Sequence, residues 1–220
     1  MRKEIEIKEN FTKISCRDFG HLHLSQGETT SLVIEADQEL LSEIIAEVRG
    51  DTLELGLDSD WFGGFSKVIK SVFDGTDRKV TYHLTVADID KVSISGKINL
   101  DCEQFASENL TVRVSGLGYI TFSHLECDSL EVIISGRGEF TAAGRANHQS
   151  IRISGSGEYE TPNLNSQSMR IVISGQGNAV VRVSDNLDIN ISGMGQVNYY
   201  GHPKLRQVIS GLGKSKRLND

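Results

Sequence analysis

The stretch Leu110-Thr111-Val112-Arg113-Val114-Ser115-Gly116-Leu117-Gly118-Tyr119-Ile120-Thr121-Phe122 reads as two strands and the corner between them. Leu110, Val112 and Val114 alternate with Thr111, Arg113 and Ser115, the period of a strand with one buried face. Gly116 and Gly118 follow, suited to the positive φ angles of a tight corner. Ile120 and Phe122 then alternate with Tyr119 and Thr121. His124 to Asp128 makes the return, with Leu125 and Cys127 inward. The Ile/Val-Ser-Gly phrase occurs seven times, at Ser95, Ser115, Ser135, Ser154, Ser174, Ser192 and Ser210, with intervals of 20, 20, 19, 20, 18 and 18 residues. In the last six copies a second glycine follows two residues later.

So regular a spacing is a repeat architecture. One copy is too short to bury its own apolar face, and stacking buries it when equivalent strands pair in parallel. Helical repeats need a 3.6-residue period, which is absent, and propeller blades are about twice as long. Parallel crossovers are nearly always right-handed. The expected fold is therefore all-β: a right-handed parallel β-helix with coils of about 20 residues. The glycine column is expected because stacked corners leave no room for Cβ, and the serine column as a ladder of hydroxyls. A phosphate-cradling glycine loop would need a helix after the glycines, and strands follow here.

The first 90 residues are less regular. Strands are expected around Ile5 and Ile7, Ile14 and Cys16, Leu22 and Leu24, Leu32 and Ile34, punctuated by Gly20 and Gln26-Gly27. Asp37 is placed to cap a helix from Gln38 to Val48, with Leu40, Leu41, Ile44, Ile45 and Val48 on one face and Gly50 ending it. Leu53, Leu55 and Leu57 give another strand, and Val80, Tyr82, Leu84 and Val86 lead into the repeats. Between them, Trp61, Phe62, Phe65, Val68, Ile69, Val72 and Phe73 make a helical apolar stripe near residues 60–75. It is expected either to cap or flank the solenoid or to form a contact surface, for a second copy or for a membrane surface. The near balance of Lys67 and Lys70 against Asp60 and Asp74 favours the second copy and argues against membrane insertion. The predicted organisation is a single β-helical domain over 1–213, with seven regular repeats over 91–213 and a polar tail at 214–220.

The chain has 220 residues and a net charge of −7, with a pI near 5.4, which argues against a nucleic-acid surface. Its three cysteines, Cys16, Cys102 and Cys127, rule out a fully paired set and are expected as buried free thiols. There is no apolar run long enough for a membrane-spanning helix. The N-terminus begins directly in strand-like alternation with no signal-peptide pattern, which predicts a cytoplasmic chain or one that starts after a cleavage site.

Sites for chemistry are few. In the column just past the second glycine stand Tyr119, Glu139, Glu158, Asn178, Gln196 and Lys214. Glu139 and Glu158 should neighbour each other in adjacent coils, a carboxylate pair that could do acid/base work or sit on a solvated face. Two residues before each serine stand Ser93, Arg113, Ile133, Arg152, Val172, Asn190 and Val208, with apolar members that the N-terminal part or a partner would cover. His21 and His23 point to one side of a strand, but two ligands with no third mapped do not make a metal site. The calcium β-roll motif needs Asp after the glycines, and none of the copies has it. No metal or cofactor is expected.

The order Phe11-Thr12-Lys13-Ile14, Leu22-His23-Leu24-Ser25-Gln26-Gly27, Leu32-Val33-Ile34-Glu35-Ala36-Asp37, Leu40-Leu41, Thr52-Leu53-Glu54-Leu55 and then the Ser-Gly-x-Gly series resembles a bacterial family, the putative auto-transporter adhesin, head GIN domain. The resemblance spans roughly residues 10 to 213. It implies a β-helical protein, secreted or associated with the cell surface, envelope or periplasm, with no established activity. The first copy, Ser95-Gly96-Lys97-Ile98, departs by lacking the second glycine, and the Trp61–Phe73 segment resembles an insertion. The expected function is non-enzymatic: attachment, scaffolding, or binding of protein or carbohydrate at a cell surface. The alternatives are an oligomeric structural module assembling through Trp61–Phe73, and a glycan-active enzyme using Glu139 and Glu158.

Overall fold

The computed structural model describes residues 1–57 and 79–219. Strand takes up 75% of it and helix about 2%, in a β-solenoid of about six turns. The repeats form β9 (Lys97–Val114), β10 (Leu117–Ile134), β11 (Arg137–Ile153), β12 (Ser156–Ile173) and β13 (Gln176–Ile191), followed by β14 (Met194–Tyr200), β15 (Lys204–Ile209) and β16 (Leu212–Arg217). Successive repeats pair in parallel and in register: Gly118 faces Gly138, Val132 faces Ile151 and Ile134 faces Ile153.

Alternation does the folding. Along β10, Ile120, Phe122, Leu125, Cys127, Leu130, Val132 and Ile134 are all buried, and each lies in register with a residue of the next coil. The buried residues form one cluster running from Ile14 to Tyr199. Phe105, Phe122, Phe140 and Tyr159 form an aromatic chain through it, with centroid separations of 6.2, 6.0 and 5.2 Å. Tyr159 is fully buried, and its hydroxyl donates to Gln149 Oε1 at 2.6 Å, which satisfies a glutamine placed in an otherwise apolar column. All three thiols are free and buried. Burial pushes the Cys16 and Cys127 thiols up to about 12 and Cys102 to about 11, so they pack as small neutral hydrophobes.

The corners depart from one expectation. Among the described residues, positive φ occurs at Asp18, Gly20, Gly50, Gly144 and Gly201, and at none of the Ser-Gly-x-Gly glycines. What requires glycine there is space. A Cβ on Gly136 would lie 2.1 Å from the Gly116 carbonyl oxygen, and one on Gly116 would lie 2.2 Å from that of Gly96. The second glycine faces inward, where a Cβ on Gly138 would crowd Val114 and Ile134 at 3.2–3.3 Å. The serine hydroxyls of the first two copies bond backbone carbonyls rather than one another. Ser115 donates to the Ile94 carbonyl at 3.3 Å and Ser95 to that of Cys16 at 3.4 Å.

Upstream of the repeats lie β1 (Arg2–Ile5), β2 (Lys13–Cys16), β3 (Phe19–Gln26), β4 (Ser31–Glu35), α1 (Gln38–Leu41), β5 (Ile44–Arg49), β6 (Thr52–Leu57), β7 (Thr81–Val86) and β8 (Lys91–Ile94). β2 and β3 form an extra coil. β2 pairs with β8, and β3 pairs with β9, both in parallel. The stack then ends in antiparallel pairs, β1 with β4, β4 with β7 and β5 with β6. The helix expected over Gln38–Val48 is one turn only, and Asp37 makes no side-chain cap bond. Ile44 to Arg49 instead hairpins onto β6 through Gly50-Asp51, with Gly50 at φ +66°. The β-branched Ile44, Ile45 and Val48 favour strand, and the β6 edge supplies partners that a lone helix lacks. The phrase Gln26-Gly27 is structural. The Gln26 amide donates to the carbonyls of Ala87 (2.9 Å) and Ala106 (2.7 Å), and its Oε1 accepts from the Ala106 N–H (2.8 Å).

At the other end some inward columns turn polar, while Leu205 and Ile209 continue others. Gln207 takes the place of Ile189, and Ser215 that of Val197. Ser215 donates to Gln207 at 2.5 Å. Lys204, Arg206, Lys214, Lys216 and Arg217 line the last strands, the charge pattern that discourages an edge from recruiting further strands.

Candidate functional site

One outer face of the solenoid carries two unbroken side-chain columns, each fixed by strand register. The first runs Glu35, Thr81, His21, Asn99, Tyr119, Glu139, Glu158, Asn178, Gln196, Lys214. The second, two residues on, runs Val33, His83, His23, Asp101, Thr121, Thr141, Glu160, Val180, Asn198, Lys216. Every member is exposed or half-buried. Ten strands at about 4.8 Å make a face about 43 Å long. Its chemistry is banded, with imidazoles and carboxylates at the N-terminal end, glutamates in the middle and lysines at the C-terminal end.

The sequence-predicted pair Glu139 and Glu158 are direct neighbours, and the second column adds Glu160 beside them. A shallow pocket of about 220 Å³ lies between Tyr119, Arg137, Glu139, Ser156 and Glu158. Desolvation, then Glu158 and Glu139, hold the Glu160 carboxyl above its ordinary range. A carboxyl raised in the folded state stabilises the fold below its unfolded value, and that contribution is lost as pH rises through the folded value. Glu160→Gln should therefore raise Tm by about 1–3 °C at pH 7, and the gain should vanish at pH 4. Thermal melts of both proteins at the two pH values check this.

Toward the N-terminal end, register supplies the third donor that the sequence left unmapped. Asp101 of β9 lies opposite His23 of β3. His23 Nδ1 is 2.8 Å from Asp101 Oδ2, and His21 Nε2 contacts Asp101 Oδ1. One nitrogen of each ring and a carboxylate oxygen lie within 4.8 Å of one another. His21 and His23 stack at 4.1 Å, and His83 stacks on His23 at 5.0 Å. The signal was present in the sequence. Asp18-Phe19-Gly20 is a degenerate copy of the Gly-x-Gly corner, and aligning it with Gly96-Lys97-Ile98 sets His23 against Asp101.

The column Ser93, Arg113, Ile133, Arg152, Val172, Asn190, Val208 is also in register. Ile133 and Val172 are half-buried and Val208 is 54% exposed. Among the described residues, no N-terminal strand covers this column. β2 and β6 extend it, through Ser15 and Glu54. The apolar stripe Trp61, Phe62, Phe65, Val68, Ile69, Val72 and Phe73 lies outside the described residues.

The model of the family described as putative auto-transporter adhesin, head GIN domain, matches residues 10–203. The chain belongs to this family. Solved structures share the fold. A putative adhesin of Bacteroides fragilis superposes with a TM-score of 0.84 at 21% identity, covering 100% of this chain and 96% of that one. A putative lipid binding protein of Parabacteroides distasonis gives 0.75 at 19% identity, covering 99% and 96%. A putative adhesin of Parabacteroides merdae gives 0.64 at 18% identity, covering 99% and 95%. Among curated proteins, integrin beta-6 of Mus musculus is 28% identical over 135 residues, which is 61% of the head GIN chain and 15% of the integrin. The head GIN chain thus spans a small fraction of that relative's length. Among the described residues, no helix is long and apolar enough to cross a membrane.

Proposed function

We propose that this head GIN protein is a non-catalytic binding module of the bacterial cell surface or envelope, presenting the Glu35–Lys214 face to an extended polar partner, a glycan or a protein surface. The observation that carries this reading is the pair of side-chain columns running from β4 to β16 in register. A rigid sheet holds their groups at fixed spacing, so little order need be imposed when a partner docks. Tyr119, 45% exposed beside the glutamates, gives the face an aromatic platform.

Screening the purified chain on glycan and matrix-protein arrays tests it. Binding should fall at least tenfold in the triple variant Tyr119→Ala, Glu139→Gln, Glu158→Gln and persist in Arg113→Ala, Arg152→Ala on another face. Equal loss in both variants, or no binder at all, would remove this face from the function. The clustered Glu139, Glu158 and Glu160, one of them with a raised carboxyl, favour a second reading, a glycan-active site. Release of reducing ends from a polysaccharide panel, abolished by Glu158→Gln, would establish that reading instead.

A further inference from the structure

We propose that His21, His23 and Asp101 bind a divalent transition-metal ion of the zinc class. The donors are two imidazole nitrogens and one carboxylate oxygen, already gathered within 4.8 Å of one another. Three protein ligands with a fourth position open to solvent is a common zinc arrangement. Imidazole donors favour zinc, cobalt, nickel or copper, whereas calcium and magnesium take oxygen shells.

The frame is fixed before any ion arrives. His21 and His23 alternate with Leu22 and Leu24, which are 0% and 2% exposed and anchor β3 in the core. β3 is paired on both sides, by β7 and β9, so neither the histidine spacing nor its register with Asp101 can drift. His83 packs flat on His23, with ring planes 12° apart, and its Nε2 lies 3.7 Å from Glu35 Oε1. The stacked ring limits how far the His23 imidazole can turn. The three ligand side chains are 37–42% exposed, so an ion can enter without opening the fold. With the ligands this exposed, water or a partner's donor can complete the coordination.

The test uses tag-free full-length chain stripped with chelator, titrated with Zn²⁺ by calorimetry and with Co²⁺ by visible absorption. One ion per chain is expected, with micromolar or tighter affinity and cobalt bands of a low-coordinate nitrogen–oxygen site. His21→Ala and Asp101→Asn should each weaken binding at least about tenfold. His148→Ala, whose ring pairs with Ser168 elsewhere on the surface, should leave it unchanged. Circular dichroism checks folding, and the nearly isosteric Asp101→Asn decides the matter if His21→Ala does not fold. Absence of zinc binding, binding untouched by Asp101→Asn, or displacement of the ion by equimolar Ca²⁺ would overturn the assignment. The titration contains no partner, so its failure leaves the binding-module reading to its own test.

Discussion

Gly136→Ala should destabilise the protein by about 3 kcal/mol, visible as a large drop of the thermal transition or as insoluble expression. The added methyl would sit 2.1 Å from the Gly116 oxygen and 2.3 Å from the Ser115 oxygen. Both are backbone atoms, so no side chain can swing aside. The coils would have to part, and parting breaks the corner bonds from Gly136 N to Val114 O (3.2 Å) and from Arg137 N to Gly116 O (2.9 Å). Gly50→Ala is the control. Gly50 has φ +66° but nothing within 4 Å of the added Cβ, so it should lose only about 1 kcal/mol of left-handed strain. Chemical denaturation of the two variants separates steric from conformational need. Equal losses would refute the steric account of the repeat.

Phe140→Ala should cost about 3–5 kcal/mol, or roughly 10 °C in Tm. Phe140 is 0% exposed and stands between Phe122 and Tyr159 in the aromatic chain. Neighbouring coils cannot close the hole, because their separation is set by strand hydrogen bonds. Tyr159 would also lose the ring it stacks against. A small loss in a denaturant melt, below about 1 kcal/mol, would mean the column relaxes along the stack.

The repeat region was legible because one physical demand, no Cβ where coils meet, writes the same letters at every corner. The inward residues of β10 were readable from alternation alone. The antiparallel start was not. Leu40, Leu41, Ile44, Ile45 and Val48 fit a helical stripe as well as a turn followed by a strand, and only the edge of β6 decides between them. The candidate site was half legible. Glu139 and Glu158 follow from repeat spacing, whereas Asp101 meets His21 and His23 only through a corner in which Asp18, at φ 67°, stands where the other coils have glycine.

The coils differ in length, yet the strands at the corner never slip. β9 and β10, from coils of equal length, pair without a break. Where a coil loses or gains one residue, a single slip appears, between Phe122 and Leu125 or between Thr141 and Ala143. Where two residues are lost there are two slips, at Thr161/Asn165 and Ser166/Ser168. All of them fall beyond the two outer columns, in the bend away from the corner. The face therefore acts as a ruler with one graduation per strand, and the slips between the described repeat strands fall outside its marks.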